Sequence, residues 1–577
     1  MNSKNYIILF ILFFININDI KPENITSRVY NIFQTNCTNS GCHNNIDIAG
    51  NLDLQGNGEN ADLEVYNNLY KKVPYNVISQ LKNDYLVYPS KPYQSIVFTY
   101  IASQNNANIR LNPLEDPYFI HRNLEISDLD QEMIRQWILN GAKPHDTEVD
   151  VELVEDFYDG QGIWNIDQQN PPLPPDIQDG FQIRIGPIFM KPSDIAAGNL
   201  SDNVYTIKHD LLNDSPLEMK QISAIIGTNH HFSCYKYLNN DVGNQQDYGL
   251  HTDGASQNTK LLFIFPQTDD YILPQGTAMR WEENSSFDFQ IHIANYSEDF
   301  ILAQDVYINV YTQQLGTAAQ EMKFKNWGKT VLNIPPNTTS FEEEIEMFIE
   351  NPTIEHIYIW LLGSHTHLHG LDFDIWLRNI DGSKGEHVYD ASHYNGIPTC
   401  EFIGYNYETP PNRIFNFPFL KLNMQEGLIS RATYFNETDE TIVFGTTASI
   451  EEMFGTGIFY VTDTAGVSFN EGSICYADEI NSINVVEKAE KLSLNIFPNP
   501  IKQIAQLNIA SYFAGNIIGT LYDFNGRVVR QVKHFVPSNN QIRSFIFEKE
   551  NLQNGIYFYE IQDQKGNRKV KRLVISE

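Results

Sequence analysis

Cysteine, basic residues and long apolar runs are all scarce in this chain, and each scarcity narrows what it can be. Five cysteines in 577 residues are too few for a disulfide-built scaffold, and Cys37 and Cys42 share one seven-residue string, which leaves Cys234, Cys400 and Cys475. Three thiols allow at most one intramolecular bridge, and Cys400 with Cys475 is the expected pair because both fall in one expected domain. The chain has 39 Lys and Arg against 72 Asp and Glu, a formal charge of -33. That field repels a phosphate backbone, so nucleic acid is not an expected partner. After the N-terminus no apolar stretch reaches about 18 residues, the length that spans a bilayer. The one apolar run, Tyr6 to Ile15 after Lys4, has the length of a signal-peptide core, so 1–21 is expected to be a signal peptide. Asn16 to Ile20 holds no small-x-small cleavage site, which leaves a retained anchor open.

At roughly 100–200 residues per domain, a chain of this length holds several. Residues 24–145 read as a small all-α domain: Ile25 to Phe33, Asp62 to Lys72, and Ile126 to Gly141, where Leu129, Met133, Ile134, Trp137 and Ile138 recur at helical spacing. Pro171, Pro172, Pro174 and Pro175 mark a linker over 146–180. From 181 to 485 the pattern changes to short alternating runs, among them Gly180 to Met190, Ser286 to Ala294, His356 to Leu362 and Gly370 to Arg378. Such runs without long helices indicate antiparallel sandwiches, expected as two all-β domains at 181–320 and 321–485. The tail, 490–577, carries Leu492 to Pro500, Gly519 to Arg527 and Asn554 to Glu560. These blocks resemble the C-terminal sorting domain of the type IX secretion route of Bacteroidota, a small β-sandwich, which implies export through the periplasm to the surface or the medium and contact with the secretion machinery.

Two groups of residues carry chemistry. Cys37-Thr-Asn-Ser-Gly-Cys42-His43 places two thiols and an imidazole together, as thioether attachment of haem c and its proximal ligand require, although the spacing between cysteines is four residues rather than two. A disulfide beside an unrelated His is the alternative. With Val29 to Phe33 before it, Gly50 to Leu54 after it and Ile134 to Ala142 at the end, the segment resembles the cytochrome c-like domains at the N-termini of many Bacteroidota and Planctomycetes proteins. That family often takes a distal Met from a Met-Pro step. Asn105 to Pro117 holds no Met, so the distal ligand is open; His121 is the nearest candidate, with a solvated loop His as the competing reading.

The second group is His230-His231, His292, His365-Thr-His367 and Met453. Residues i and i+2 of a strand share a face, so His365 and His367 can converge if Trp360 to Asp372 is extended. Adjacent His230 and His231 can share one metal only at an irregularity, for which Gly227 and Asn229 are suited. Copper(II) favours imidazole and a thioether suits copper(I), so three imidazoles beside two imidazoles plus Met point to copper that changes oxidation state. In order, Asn229 to Cys234, Phe289 to His292, Ser364 to His367 and Arg431 to Met453 resemble the copper type II, ascorbate-dependent monooxygenases. The resemblance implies jelly-roll-like sandwiches and two copper ions. His230, His231 and His292 would hold the electron-donating copper; His365, His367 and Met453 would hold the oxygen-activating one. It also implies ascorbate or another electron donor and a small-molecule substrate hydroxylated at an activated C–H bond. The chain departs from the family at Ala432 and Phe454, where a half-cystine pair is common, and at Gly363 and Gly457, where peptide-amidating members anchor a carboxylate. His369 and Met424 are weaker ligand candidates. A haem and copper electron-transfer or metal-binding surface protein without hydroxylase activity is the alternative; a sandwich protein that has lost the site is a third.

Overall fold

The computed structural model describes residues 24–81, 84–102, 121, 124–145, 147–166, 171–176, 178–194, 200–226, 231–238, 248–265, 269–349, 354–392, 405–407, 410–445, 450–469, 492–497, 501–511, 515–523, 527–536, 542–549, 551–563, 565 and 568–575. The expected signal peptide, His230, and the Cys400–Cys475 pair lie outside the described residues. Two compact units divide the chain, one running essentially to Glu155 and the other from Asp156 onward.

The first unit is helical among its described residues. Asn24 caps the helix Ile25–Asn36 by accepting from the Thr26 N–H, and Ser127 caps Asp128–Leu139 by accepting from the Asp130 N–H. Each cap satisfies one of the donors that a helix start leaves unpaired. On the second helix the expected stripe of Met133, Ile134, Trp137 and Ile138 is buried. Its polar side is buried too, because Glu132 pairs with Arg135 and accepts from Gln136 Nε2 at 2.9 Å. Charge neutralised inside its own helix can be covered where a lone carboxylate could not.

The second unit is mostly β, multidomain and sandwich-like. A seven-stranded and a four-stranded sheet precede Met322; five-, four- and two-stranded sheets follow it; a three- and a four-stranded sheet form the tail. Period-two patterning explains the strands. In Ser286–Asn295, Phe287, Phe289, Ile291 and Ile293 fill one face with almost no exposure, each stabilising by about 1.5–3 kcal/mol on burial. Cys234 is a free, buried thiol, and burial holds it well above its ordinary pKa, so it behaves as a small core residue. Part of the expected linker is ordered: Gly162–Trp164 pairs in parallel with Ile301–Gln313. The carbonyls of Pro172 and Leu173 accept from Gln182 and Asn309 at 3.0 Å.

In the second sandwich, Thr338–Met347 pairs only with Leu428–Asn436 and forms a sheet edge among the described strands. Glu342, Glu344 and Glu346 recur on its outer side and meet Arg431, Lys384 and Arg378. Such exposed pairs contribute little stability individually.

In the tail, Leu492–Phe497, Ile504–Ser511 and Ile542–Glu548 form one sheet and Gly515–Asp523, Val528–Val536, Gly555–Gln562 and Arg568–Ile575 the other. Between them His534 is buried, with Nε2 2.7 Å from the Tyr559 hydroxyl and its ring on Phe545. Burial lowers its pKa to about 4. A His that titrates near 6.5 unfolded and near 4 folded takes up a proton on unfolding, so stability is fully present above pH 6.5 and falls as pH drops toward 4. Between pH 7 and pH 5 this contribution should fall by roughly 2 kcal/mol. Amide-exchange protection of Val528–Val536 and Gly555–Gln562 in the full chain should drop accordingly, and His534→Phe should flatten the pH dependence by one proton.

Candidate metal centre

Register places the first two imidazoles. His231 opens the strand His231–Tyr237 and lies directly opposite His292 in the antiparallel pairing with Ser286–Asn295. Opposite residues of such a pair extend from the same face. The rings accordingly lie 4.8 Å apart at 75°, with His292 Nδ1 3.3 Å from His231 Nε2. Asp202, on the neighbouring strand Ser201–Asp210, approaches His292 Nε2 at 2.7 Å. An N–H donated to that carboxylate fixes the tautomer and leaves the Nδ1 lone pair facing His231.

The other two imidazoles come from a turn. The strand His356–His365 ends at its histidine and the next begins at Gly370. The expected extended run through Asp372 is therefore broken, and His365 and His367 do not share a strand face. The cause is Glu452. Its fully buried carboxylate accepts from the backbone N–H groups of His367 at 2.9 Å, His369 at 2.7 Å and Met453 at 3.0 Å, which pulls the backbone out of the ladder. His367 Nδ1 lies 3.1 Å from the Glu451 carbonyl, and donation there would make Nε2 the nitrogen able to ligate a metal.

The two sandwiches bring these groups to one place. His231 is 5.0 Å from His365, His365 is 5.3 Å from His367, and His292 is 5.8 Å from His367, ring centre to ring centre. One nitrogen each from His231, His365 and His367 lies within 4.8 Å of the others. The expected separation into two ligand sets is not what the described residues form: His231 faces both His292 and His365, and the four imidazoles make one continuous cluster. Burial pushes the His231 and His367 pKa values well below the ordinary range, with neighbouring imidazoles adding to the shift. Burial, then His292, lowers His365 to about 3. All three are neutral at pH 7, the form that binds a metal.

Met453 is half-buried. Its N–H shares one Glu452 oxygen with His367, and its carbonyl accepts from the Tyr434 hydroxyl at 2.9 Å. Its backbone is thereby fixed beside the His367 turn. His369 packs on Phe435 at 5.2 Å. Gly363 and Gly457 pair across two strands, and a Cβ at either would meet Asn412 at 2.8 Å or Phe324 at 3.1 Å.

A second grouping, Asp374, His387 and Asp390, has its charge answered internally. Asp374 binds Arg431 at 2.5 Å and His387 at 2.8 Å, and the His387 ring stacks on Trp376. Sequence reasoning missed this group, Asp202 and Glu452 alike. A carboxylate in an acid-rich chain carries no spacing signal until strands are paired.

In the helical unit, Cys37 ends the helix Ile25–Asn36, and the His43 N–H returns to the Cys37 carbonyl at 3.0 Å. Gly41, at φ 79, allows that turn. Cys37 and Cys42 both stand as free thiols. Burial, then Cys42, pushes the Cys37 thiol up to about 12. His43 Nδ1 lies 3.3 Å from the Leu52 carbonyl.

No curated protein matches the chain. Solved structures similar to part of it include a β-glucuronidase of Parabacteroides merdae, at 8% identity and TM-score 0.12 over 42% of this chain and 28% of that one. A glycosyl hydrolase family 2 member from Bacteroides cellulosilyticus matches at 12% and 0.12 over 41% and 28%, and a β-glucuronidase of Ruminococcus gnavus at 8% and 0.13 over 44% and 45%. The aligned part spans less than half of those chains, and likeness at this level carries no argument about chemistry. Residues 495–576 match the family described as the secretion system C-terminal sorting domain. The tail is thus a type IX export address that engages the secretion machinery, and the chain is delivered to the cell surface or secreted.

Proposed function

We propose that this exported chain is a copper-dependent monooxygenase hydroxylating an activated C–H bond with O2. The observation that carries the reading is the convergence of His231, His292, His365 and His367 in one buried cluster. The donor set fits the ion. One nitrogen each from His231, His365 and His367 lies within 4.8 Å of the others, and His292 Nδ1 lies 3.3 Å from His231 Nε2, close to the roughly 3.3 Å that separates two ligand atoms on a tetrahedral metal with bonds of about 2.0–2.1 Å. Neutral imidazoles suit copper, and a thioether nearby would suit its reduced form. Bound copper would supply O2 activation and electron transfer.

His231, His292, His365 and His367 would share the imidazole ligation, with Met453 as the soft donor. Asp202 holds the His292 ring in one tautomer, and Glu452 holds the turn that presents His367 and Met453. Under this reading the sandwiches are jelly-roll-like copper domains and the helical unit a cytochrome c-like domain. Its haem c would be held by Cys37, Cys42 and His43, and ascorbate or another donor would supply electrons. Oxygen uptake by the copper-loaded, reduced chain, coupled one-to-one to an alcohol product across a substrate screen, tests the proposal. Copper and haem that cycle without coupled product would instead mark an electron-transfer protein.

A shared cluster and two independent sites differ in their response to mutation. His292→Ala and His365→Ala should each remove more than half of the copper per chain after dialysis, measured by elemental analysis. Independent sites would each lose only their own ion. Asp202→Asn, which perturbs the orienting bond alone, should weaken copper about 10–100-fold.

Peptides ending in glycine should not be hydroxylated, because Gly363 and Gly457 stand where peptide-amidating members of the family this chain resembles anchor a carboxylate. Competition assays with such peptides against any accepted substrate should show no inhibition; turnover at a comparable rate would contradict the expectation.

A further inference from the structure

The helical unit holds a second imidazole in a defined relation to the first. His121 and His43 have ring centres 6.0 Å apart and planes within 14° of parallel. A bond from a first-row metal to imidazole is about 2.0–2.1 Å, and the ring centre lies roughly 1.1 Å further along it. Two imidazoles on opposite sides of one iron therefore have centres about 6.3 Å apart. Offset ring contacts also reach this distance, so spacing alone does not decide.

Three further observations do. His43 Nδ1 faces the Leu52 carbonyl at 3.3 Å, which leaves Nε2 as the ligating atom. Residues 24–155 contain one methionine, Met133, and three histidines, His43, His121 and His145. Met133 is wholly buried within the helix Asp128–Leu139, and His145 is exposed. Tyr100 backs His121, with ring centres 5.0 Å apart, and is itself fixed by Asn76 Nδ2 donating to its hydroxyl at 3.1 Å.

We infer that His121 is the second axial ligand of a haem attached at Cys37 and Cys42, opposite His43. The assignment rests on the haem reading above and gives it a specific character. With both axial positions filled by imidazole, the iron has no open site for O2. It also lacks the Met ligand that raises the potential of many cytochromes c. Such a haem is built to pass electrons rather than to bind gas.

The test uses the full chain expressed with haem-ligation machinery. Haem that survives acid-acetone extraction establishes attachment. The wild-type optical spectra should then be low-spin in both oxidation states and the ferric paramagnetic resonance spectrum low-spin, without a methionine-to-iron charge-transfer band. His121→Ala should turn the ferric iron high-spin, and added imidazole should restore the low-spin spectrum. His121→Met should create the methionine band and raise the midpoint potential. His145→Ala should change none of these readouts, as circular dichroism confirms that each variant keeps its helices. Retained haem whose spin state and potential do not move in His121→Ala would overturn the ligand assignment alone. Haem lost on extraction would overturn the haem reading and this assignment with it.

Discussion

The arrangement of the candidate metal centre depends on one carboxylate. Among the described residues Glu452 is buried without a cationic partner, and three backbone N–H groups donate to it. Burial pushes its pKa up to about 8, while the three donors pull it down; each donor supplies part of the solvation that water would have given. The same bonds decide where the strand His356–His365 stops and which way the chain leaves it. Without the carboxylate, three N–H groups would be buried unpaired, each costing about 1–3 kcal/mol. The turn would relax toward the ladder, carrying His367 out of the cluster.

What the sequence disclosed and withheld follows from the range of the interactions concerned. Alternation along Ser286 to Ala294 foretold both the buried phenyl and isoleucyl face and the position of His292, because strand period is a local property. His365 and His367 were legible as a pair, but their expected shared strand face was not what joins them. That depends on Glu452, 85 residues from His367, and nothing in a Glu-Glu-Met string distinguishes a clamp from a solvated charge. Asp202 was hidden for the same reason, since its role exists only once Ser201–Asp210 lies beside Ser286–Asn295. The expectation of two ligand sets treated each sandwich separately. Their approach brings His231 to His365, which no periodicity encodes.

The helical unit shows the same division. Its helices were legible from apolar spacing, and the Cys37–His43 string from its composition. His121 was legible as the nearest candidate for a distal ligand but not separable from a solvated loop histidine, because its packing beside Tyr100 and His43 is not written in the sequence. Proline supplied a fair sign of a chain turn at 171–175 but not of its docking. The carbonyls of Pro172 and Leu173 are held by side chains of neighbouring strands, so this segment is part of the sandwich surface rather than a free spacer.

The glutamates of Thr338–Met347 bear on how copies of this chain coexist. A sheet edge offers unpaired peptide groups to any extended segment that approaches, and a cell surface or secreted layer gathers many identical molecules. Glu342, Glu344 and Glu346 recur at every second residue on one side of that edge. A second copy adding in either direction would lay its own row of carboxylates against this one, within a strand spacing of about 4.8 Å. Within the molecule the row meets Arg431, Lys384 and Arg378, so what a second copy meets at this edge is a line of solvated ion pairs rather than an apolar strand. Colloidal stability at high local density is thus written into a strand that takes no part in the chemistry.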